Sequence, residues 1–336
     1  METIITFLNR CKHPLWGGWP LRRVQQSHHT VHRASMSTSA RSISYAIFDV
    51  FAESALQGNC LAVFTDARGL STGEMQDLAR ETNLSETTFI LPRSPEIEQE
   101  RGVHVRIFTT QEELPFAGHP TLGTAAWVHL YHPVLRGQQT VTLELAVGQI
   151  PVTFGDGVGP GVFGTMRQND PVFGQVHSRT VVADVLGLTL ADLDPDLPVQ
   201  TVSTGLPFCI VPLRSLEVAQ RLAIPQQRAV RYLAQTDAKF FHCISPADPA
   251  SGAQWHARMQ FYNGEDPATG SASGCAIAYL VANSLVSGGE QIILEQGVEM
   301  KRPSRIYVRA SREDLRIRDV YVGGRTILTA MGSFFL

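Results

Sequence analysis

The chain has 336 residues, more than one hydrophobic core usually serves, so its length predicts two domains. Apolar residues make up 43% of it, as in globular proteins, and a formal charge of -3 supplies no basic field for a phosphate backbone. These values exclude nucleic acid as an expected partner, and no apolar run reaches the ~18 residues that predict a membrane helix.

Cys11, Cys60, Cys209, Cys243 and Cys275 lie far apart, without the close pair of a zinc site or a thioredoxin-type motif. Free thiols in a reducing compartment are expected. No histidine pair has the His-Glu-x-x-His spacing, so no metal is expected.

Residues 1–43 carry Arg10, Lys12, Arg22, Arg23, Arg33 and Arg41 against the single acid Glu2. That is a transit-peptide composition, which would send the protein to the mitochondrion. The other reading is a plain extension or a mis-assigned start, with Met36 opening an alternative N-terminus and a cytoplasmic location. The second is the expectation adopted.

Ordered structure is expected from Tyr45, where a β-rich run to Phe51 precedes a Gly58-Asn59 turn and the apolar strand Cys60 to Phe64. Ser71 and Glu74 have the spacing of a capping box, and Met75, Leu78 and Ala79 give the helix that follows one apolar side. Strands are predicted over Glu86 to Leu91 and Gly102 to Thr109. In the second of these, Val103, Val105 and Ile107 alternate with His104 and Arg106. Thr121 to Leu130 is apolar nearly all round, the pattern of an enclosed helix, and Pro120 suits its first turn. After an alternating strand from Thr140 to Val147, the glycine-rich run Gly155 to Gly161 is read as the inter-domain region.

The second half repeats the plan. Trp255, Ala257, Met259 and Phe261 alternate, a second apolar helix runs from Ser271 to Leu285, and strands follow near Gln291 to Leu294, Arg305 to Ala310 and Val320 to Thr329. His104-Val105-Arg106 before Gly118-His119-Pro120-Thr121 is echoed by His256-Ala257-Arg258 before Asp266-Pro267-Ala268-Thr269-Gly270. The domains are accordingly placed at 44–150 and 151–330, with 331–336 returning to the first.

A helix start offers unpaired N–H groups and the positive end of a dipole, so it attracts carboxylate or phosphate. Two such starts, at Gly118-His119 and Gly270-Ser271, could face one cleft, grip a carboxylate and stabilise charge as a C–H bond loses its proton. Phosphate is the weaker ligand, because Glu265 and Asp266 stand where it would sit and no Gly-Lys-Ser/Thr ending is present.

Four motifs carry a resemblance: Asn83-Leu84-Ser85-Glu86-Thr87-Thr88-Phe89; Glu113 to Gly123; Glu265-Asp266-Pro267-Ala268-Thr269-Gly270-Ser271-Ala272; and Gln296-Gly297-Val298-Glu299-Met300 with Arg302-Pro303-Ser304. From Tyr45 onward the chain resembles the phenazine biosynthesis PhzF-like family. The resemblance implies an α+β, diaminopimelate epimerase-like fold: two pseudo-symmetric domains, each a curled, mostly antiparallel sheet or barrel around a central helix. It implies an isomerase without cofactor or metal, acting on a small carboxylate-bearing substrate, and a homodimer. The family's best-known reaction is isomerisation of trans-2,3-dihydro-3-hydroxyanthranilate, in which a glutamate moves a proton between carbons.

By the same resemblance Glu86 would be general base and then acid, with His119 and Asp266 assisting, and Ser85, Gly118, Gly270 and Ser271 would bind substrate. Related racemases use two facing cysteines, but Gly118 and Asp266 occupy those stretches here, which disfavours a two-thiol mechanism. Cys275 is read as a core thiol. The alternatives are a non-catalytic acid-binding protein of the same fold, and a hydrolase or lyase using Asp266 and His119.

Overall fold

The computed structural model describes residues 41–155, 159–261 and 264–336, so the extension read at 1–43 lies, up to residue 40, outside the described residues. Alternating apolar strands in the first half need a common interior, and they find it in a barrel. Its chain order is β1 (Ser42–Val50), β2 (Asn59–Phe64), α1 (Thr72–Thr82), β3 (Glu86–Ile90), α2 (Pro95–Arg101), β4 (Val103–Phe108) and β5 (Glu113–Leu114). There follow α3 (Gly118–Tyr131), β6 (Thr140–Leu145), β7 (Gly148–Gly155) and β8 (Val162–Arg167).

The second half comprises β9 (Val172–His177), α4 (Arg179–Leu186), β10 (Val199–Ser203), β11 (Pro207–Pro212), α5 (Leu216–Gln220), α6 (Gln226–Leu233), β12 (Phe240–Pro246) and β13 (Trp255–Arg258). It continues through β14 (Gln260–Phe261), β15 (Gly264–Glu265), α7 (Gly270–Ala282), β16 (Ile292–Gln296), β17 (Ser304–Glu313) and the long β18 (Arg316–Phe335).

Among the described residues, β1, β2, β3, β4, β6, β7, β8 and β18 pair in that order, and β18 pairs back to β1 to close the ring. Helix α3 packs against β1, β2, β3, β6, β7, β8 and β18. Its lack of a polar side follows, since barrel wall surrounds it. From β18 the sheet continues through β17, β16, β13, β12, β11, β10 and β9, curled around α7, whose residues from Gly270 to Val281 are all buried. The fold is α+β, with one continuous sheet that closes as a barrel around α3 and then curls around α7.

β18 serves both the barrel and the curl around α7: Glu313↔Arg316 to Tyr307↔Gly323 couples it to β17, Tyr321 to Thr326 to β8, and Thr326 to Phe335 to β1. The glycine run expected to separate the halves instead joins β7 to β8, which are hydrogen-bonded antiparallel neighbours, and the chain leaves the barrel only after Arg167. Residues 156–158 of that run are outside the described residues. Glycine richness signals a break in regular structure, but only pairing tells a hairpin from a linker. The run predicted from Trp255 to Phe261 is broken at Met259, between β13 and β14. No helix among the described residues is long and apolar enough to cross a membrane.

Candidate active site

Local chain signals deliver each site residue. Ser71 caps α1 in the expected capping box, and Asn83, left-handed at φ 52°, ends the helix. Three residues later Glu86 opens β3, 8% exposed, in parallel register with Leu61 of β2. His119 is the second residue of α3, and Asp266 lies in the loop between β15 and α7; each is 2% exposed.

The two helix starts touch. A Cβ placed on Gly118 would lie 2.4 Å from the backbone nitrogen of Ser271 and 2.6 Å from the carbonyl carbon of Gly270. Glycine at 118 is thus required by the backbone of the other helix. Phe51, held left-handed at φ 61°, wedges its ring against Gly270 and Gly324 from behind. A bulky residue in that region costs roughly 1–2 kcal/mol, which the enclosing packing must offset.

Around this junction Glu86, His119 and Asp266 come together, linked by Asn59 of the Gly58-Asn59 turn. Asn59, 1% exposed at the start of β2, donates from Nδ2 to Asp266 Oδ1 at 2.7 Å and to the Ala268 carbonyl at 2.9 Å, and lies 3.1 Å from His119 Nδ1. Thr269 Oγ1 donates to the other Asp266 oxygen at 2.5 Å, and Ser85 also hydrogen-bonds that carboxylate. Gln296, fully buried, donates to the Asp266 carbonyl at 2.7 Å and to Thr269 Oγ1 at 2.9 Å, and accepts from the Thr269 N–H at 3.1 Å. His119 Nδ1 stands 3.6 Å from Glu86 Oε2, too far for a hydrogen bond.

Burial dominates the proton affinities. It raises Glu86 well above the usual carboxyl range, and the charge of Asp266 raises it further. Asp266 is also raised by burial, but hydrogen bonds from Thr269, Ser85 and Asn59 hold it to about 6. His119 is pushed down to about 3 by burial, so its ring is neutral and its approach to Glu86 is no ion pair. Glu86 is therefore the more basic of two neighbouring carboxyls. Cys275, completely buried one turn into α7, has its thiol pushed up to about 11 by burial and is poorly suited to ionise.

Two ionic devices hold the surroundings. Asp49, 2% exposed, accepts from Arg302 Nη2 at 2.7 Å, while Arg302 also donates to the carbonyls of Gly58 and Gln57 at 2.9 and 2.8 Å. This pins the segment leading into Asn59. On the other side, Arg258 forms a two-pronged pair with Glu265, the residue before Asp266. His256, 1% exposed, lies between Glu295 at 3.3 Å and Glu299 at 3.1 Å. Burial alone would lower His256, but the hydrogen bonds with Glu295 and Glu299 outweigh it and push the ring up to about 9.

A family described as phenazine biosynthesis-like protein matches residues 48–332. The chain belongs to that family. A relative from Pseudomonas aeruginosa, trans-2,3-dihydro-3-hydroxyanthranilate isomerase, is 34% identical over 299 residues, covering 87% of this chain and 99% of the relative. An uncharacterised isomerase from Mesorhizobium japonicum is 33% identical over 307 residues with the same coverage. Among solved structures, the Bacillus anthracis member of the phenazine biosynthesis family superposes with a TM-score of 0.76 at 26% identity, over 88% of this chain and all of that one. A probable proline racemase from Agrobacterium radiobacter, at 12% identity and a TM-score of 0.59 over 86% of this chain and 92% of that one, shares the fold alone. With curated family relatives of this coverage named as isomerases, the chain is an enzyme of the isomerase class.

Proposed function

We propose that this family member moves a proton between two carbons of a small carboxylate-bearing substrate, using the Glu86 carboxyl as the sole carrier and no cofactor. Glu86 removes the proton from one carbon, the C–H electron pair shifts into the adjoining π system, and the same carboxyl returns the proton to a second carbon. One observation carries the reading: a buried carboxyl with strongly raised proton affinity faces a neutral histidine and a second carboxyl where two helix starts meet. A desolvated carboxylate is a stronger base toward carbon, and helix N-termini favour the substrate's own carboxylate. His119 and Asp266 assist by hydrogen bonding, and Ser85, Gly118, Gly270 and Ser271 frame the anion site.

The relative's substrate, trans-2,3-dihydro-3-hydroxyanthranilate, is a cyclic carboxylate of this class and the first compound to test. In deuterium oxide the wild-type protein is expected to place deuterium on carbon, read by NMR of the product, and Glu86→Gln to abolish this while still binding the compound. Undiminished labelling in Glu86→Gln overturns the mechanism. A purely binding protein would label no carbon, and a hydrolase or lyase would release a fragment.

A further inference from the structure

Gln296 ends β16, fully buried, and the resemblance assigns it no role. Backbone groups fix its orientation. The Asp266 carbonyl, 2.7 Å away, can only accept, and the Thr269 N–H, 3.1 Å away, can only donate, so the amide nitrogen faces the first and the amide oxygen the second. One hydrogen of that nitrogen goes to the Asp266 carbonyl, and the other points at Thr269 Oγ1, 2.9 Å away. The Thr269 hydroxyl, with a single hydrogen to give, thus has a donor on one side and Asp266 Oδ2, at 2.5 Å, on the other. Of these two neighbours only Asp266 can accept it.

The same geometry disfavours a proton on Oδ2, because the hydroxyl would then meet a donor on each side and find no acceptor there for its own hydrogen. Oδ1 receives the Asn59 amide, and Ser85 hydrogen-bonds the same carboxylate. Glu86 is supplied differently: its buried Oε2 has no hydrogen-bond partner among the described residues. We infer that Gln296 is a positioning residue that reserves the Thr269 hydroxyl as a donor to the Asp266 carboxylate. Acting through Thr269, it favours the anionic form of Asp266 and leaves to Glu86 the proton that two such close carboxyls would otherwise share. The inference deepens, and rests on, the reading in which Glu86 carries the proton and Asp266 assists. The titratable and charged groups about Asp266 are Glu86 on β3, the neutral His119 on α3, and Glu265, which pairs with Arg258. All of them remain in the variants below, so a change in the Asp266 titration reports the hydroxyl.

The test follows the Asp266 side-chain carboxyl by carbon-13 NMR in the ligand-free full chain, labelled at aspartate, with the signal assigned by its loss in Asp266→Asn. In the wild type we expect a titration midpoint of about 6. Thr269→Val, which keeps the shape and removes the hydroxyl, should raise it to about 7 through loss of one charge-assisted hydrogen bond, while Thr269→Ser should hold the wild-type value. Gln296→Met, which removes the amide at similar size, should also raise the midpoint. Combined with Thr269→Val it should add nothing, because its effect passes through the hydroxyl. An unmoved midpoint in folded Gln296→Met overturns the inference, and so does a further rise in the double variant, which would mean that Gln296 acts on Asp266 by packing alone. A wild-type Asp266 that stays protonated at pH 8 overturns it without any variant. These measurements involve no turnover, so their failure leaves the Glu86→Gln labelling experiment standing on its own, and failure of that labelling leaves the titration to be read by itself.

Discussion

Gly118 and Ser271 are backbone neighbours across the junction of α3 and α7: a methyl group on residue 118 would sit 2.4 Å from the Ser271 nitrogen. Backbone cannot swing aside as a side chain can. Gly118→Ala is therefore expected to push the two helix starts apart, lowering stability by about 1–3 kcal/mol through overpacking. The proposed proton transfer should fall about 100-fold, since displacement by an ångström is enough to spoil alignment. Denaturant unfolding and deuterium incorporation would check both, and wild-type values in each would contradict the contact.

Glu86 gives stability a pH dependence of definite sign. Its proton affinity is higher in the folded chain than in the unfolded one, so the folded state gains relative to the unfolded when the carboxyl is protonated. That advantage is complete below the ordinary carboxyl range and is lost as pH rises through the raised folded value. Glu86→Gln, neutral throughout, should match the wild type in melting temperature near pH 4 and exceed it at pH 8. Asp266→Asn should show the same trend with the difference levelling off above about pH 6. A melting-temperature difference independent of pH would refute the burial argument.

His256 is raised to about 9 by its two glutamates, from an ordinary value of 6.5. Its contribution is full below pH 6.5 and disappears as pH climbs through 9, with a size on the order of 3 kcal/mol. The gap in unfolding free energy between wild type and His256→Gln should therefore shrink across that window. A constant gap would show that the ring is not charged in the fold.

Asp49 and Arg302 tie the start of the chain's barrel to the segment after β16. Asp49→Ala strands a partly buried guanidinium and should cost about 3 kcal/mol. Arg302→Lys should not rescue the pair, because Arg302 uses two nitrogens on three acceptors, a fork that an ammonium cannot reproduce. Urea unfolding of the two variants decides this, and a stability change below about 0.5 kcal/mol would mean the clamp is ornamental.

What could be read from the letters was what depends on near neighbours. The all-round apolarity of α3 and α7, the capping box of Ser71 and Glu74, and the inward alternation of Val103, Val105 and Ile107 are all local patterns, and each has its counterpart in the fold. Asn59 shows the limit. Gly58-Asn59 has the composition of a turn, and its partners His119 and Asp266 lie 60 and 207 positions further on. Nothing in the spacing brings them together. Glu86 by itself reads as an ordinary strand glutamate, and only the family motif drew it toward His119 and Asp266. Strand β18 extends on both sides of the expected Val320 to Thr329, from Arg316 to Phe335, and its far end, exposed at Met331 and Phe335, lacks the in-and-out burial that an alternating pattern reports. The elements from β9 to β12 and α4 to α6 gave no motif and were not foreseen.

The twenty-residue span of β18 also sets the order of events during synthesis. Ser42 to Val50, the first strand among the described residues, finds β2 nearby on one edge but its other partner only among Thr326 to Phe335. Such distant pairing slows folding and leaves an early edge waiting in the open. A transcript stopped after Gly324 would encode every proton-handling residue yet release a cask with its last stave missing.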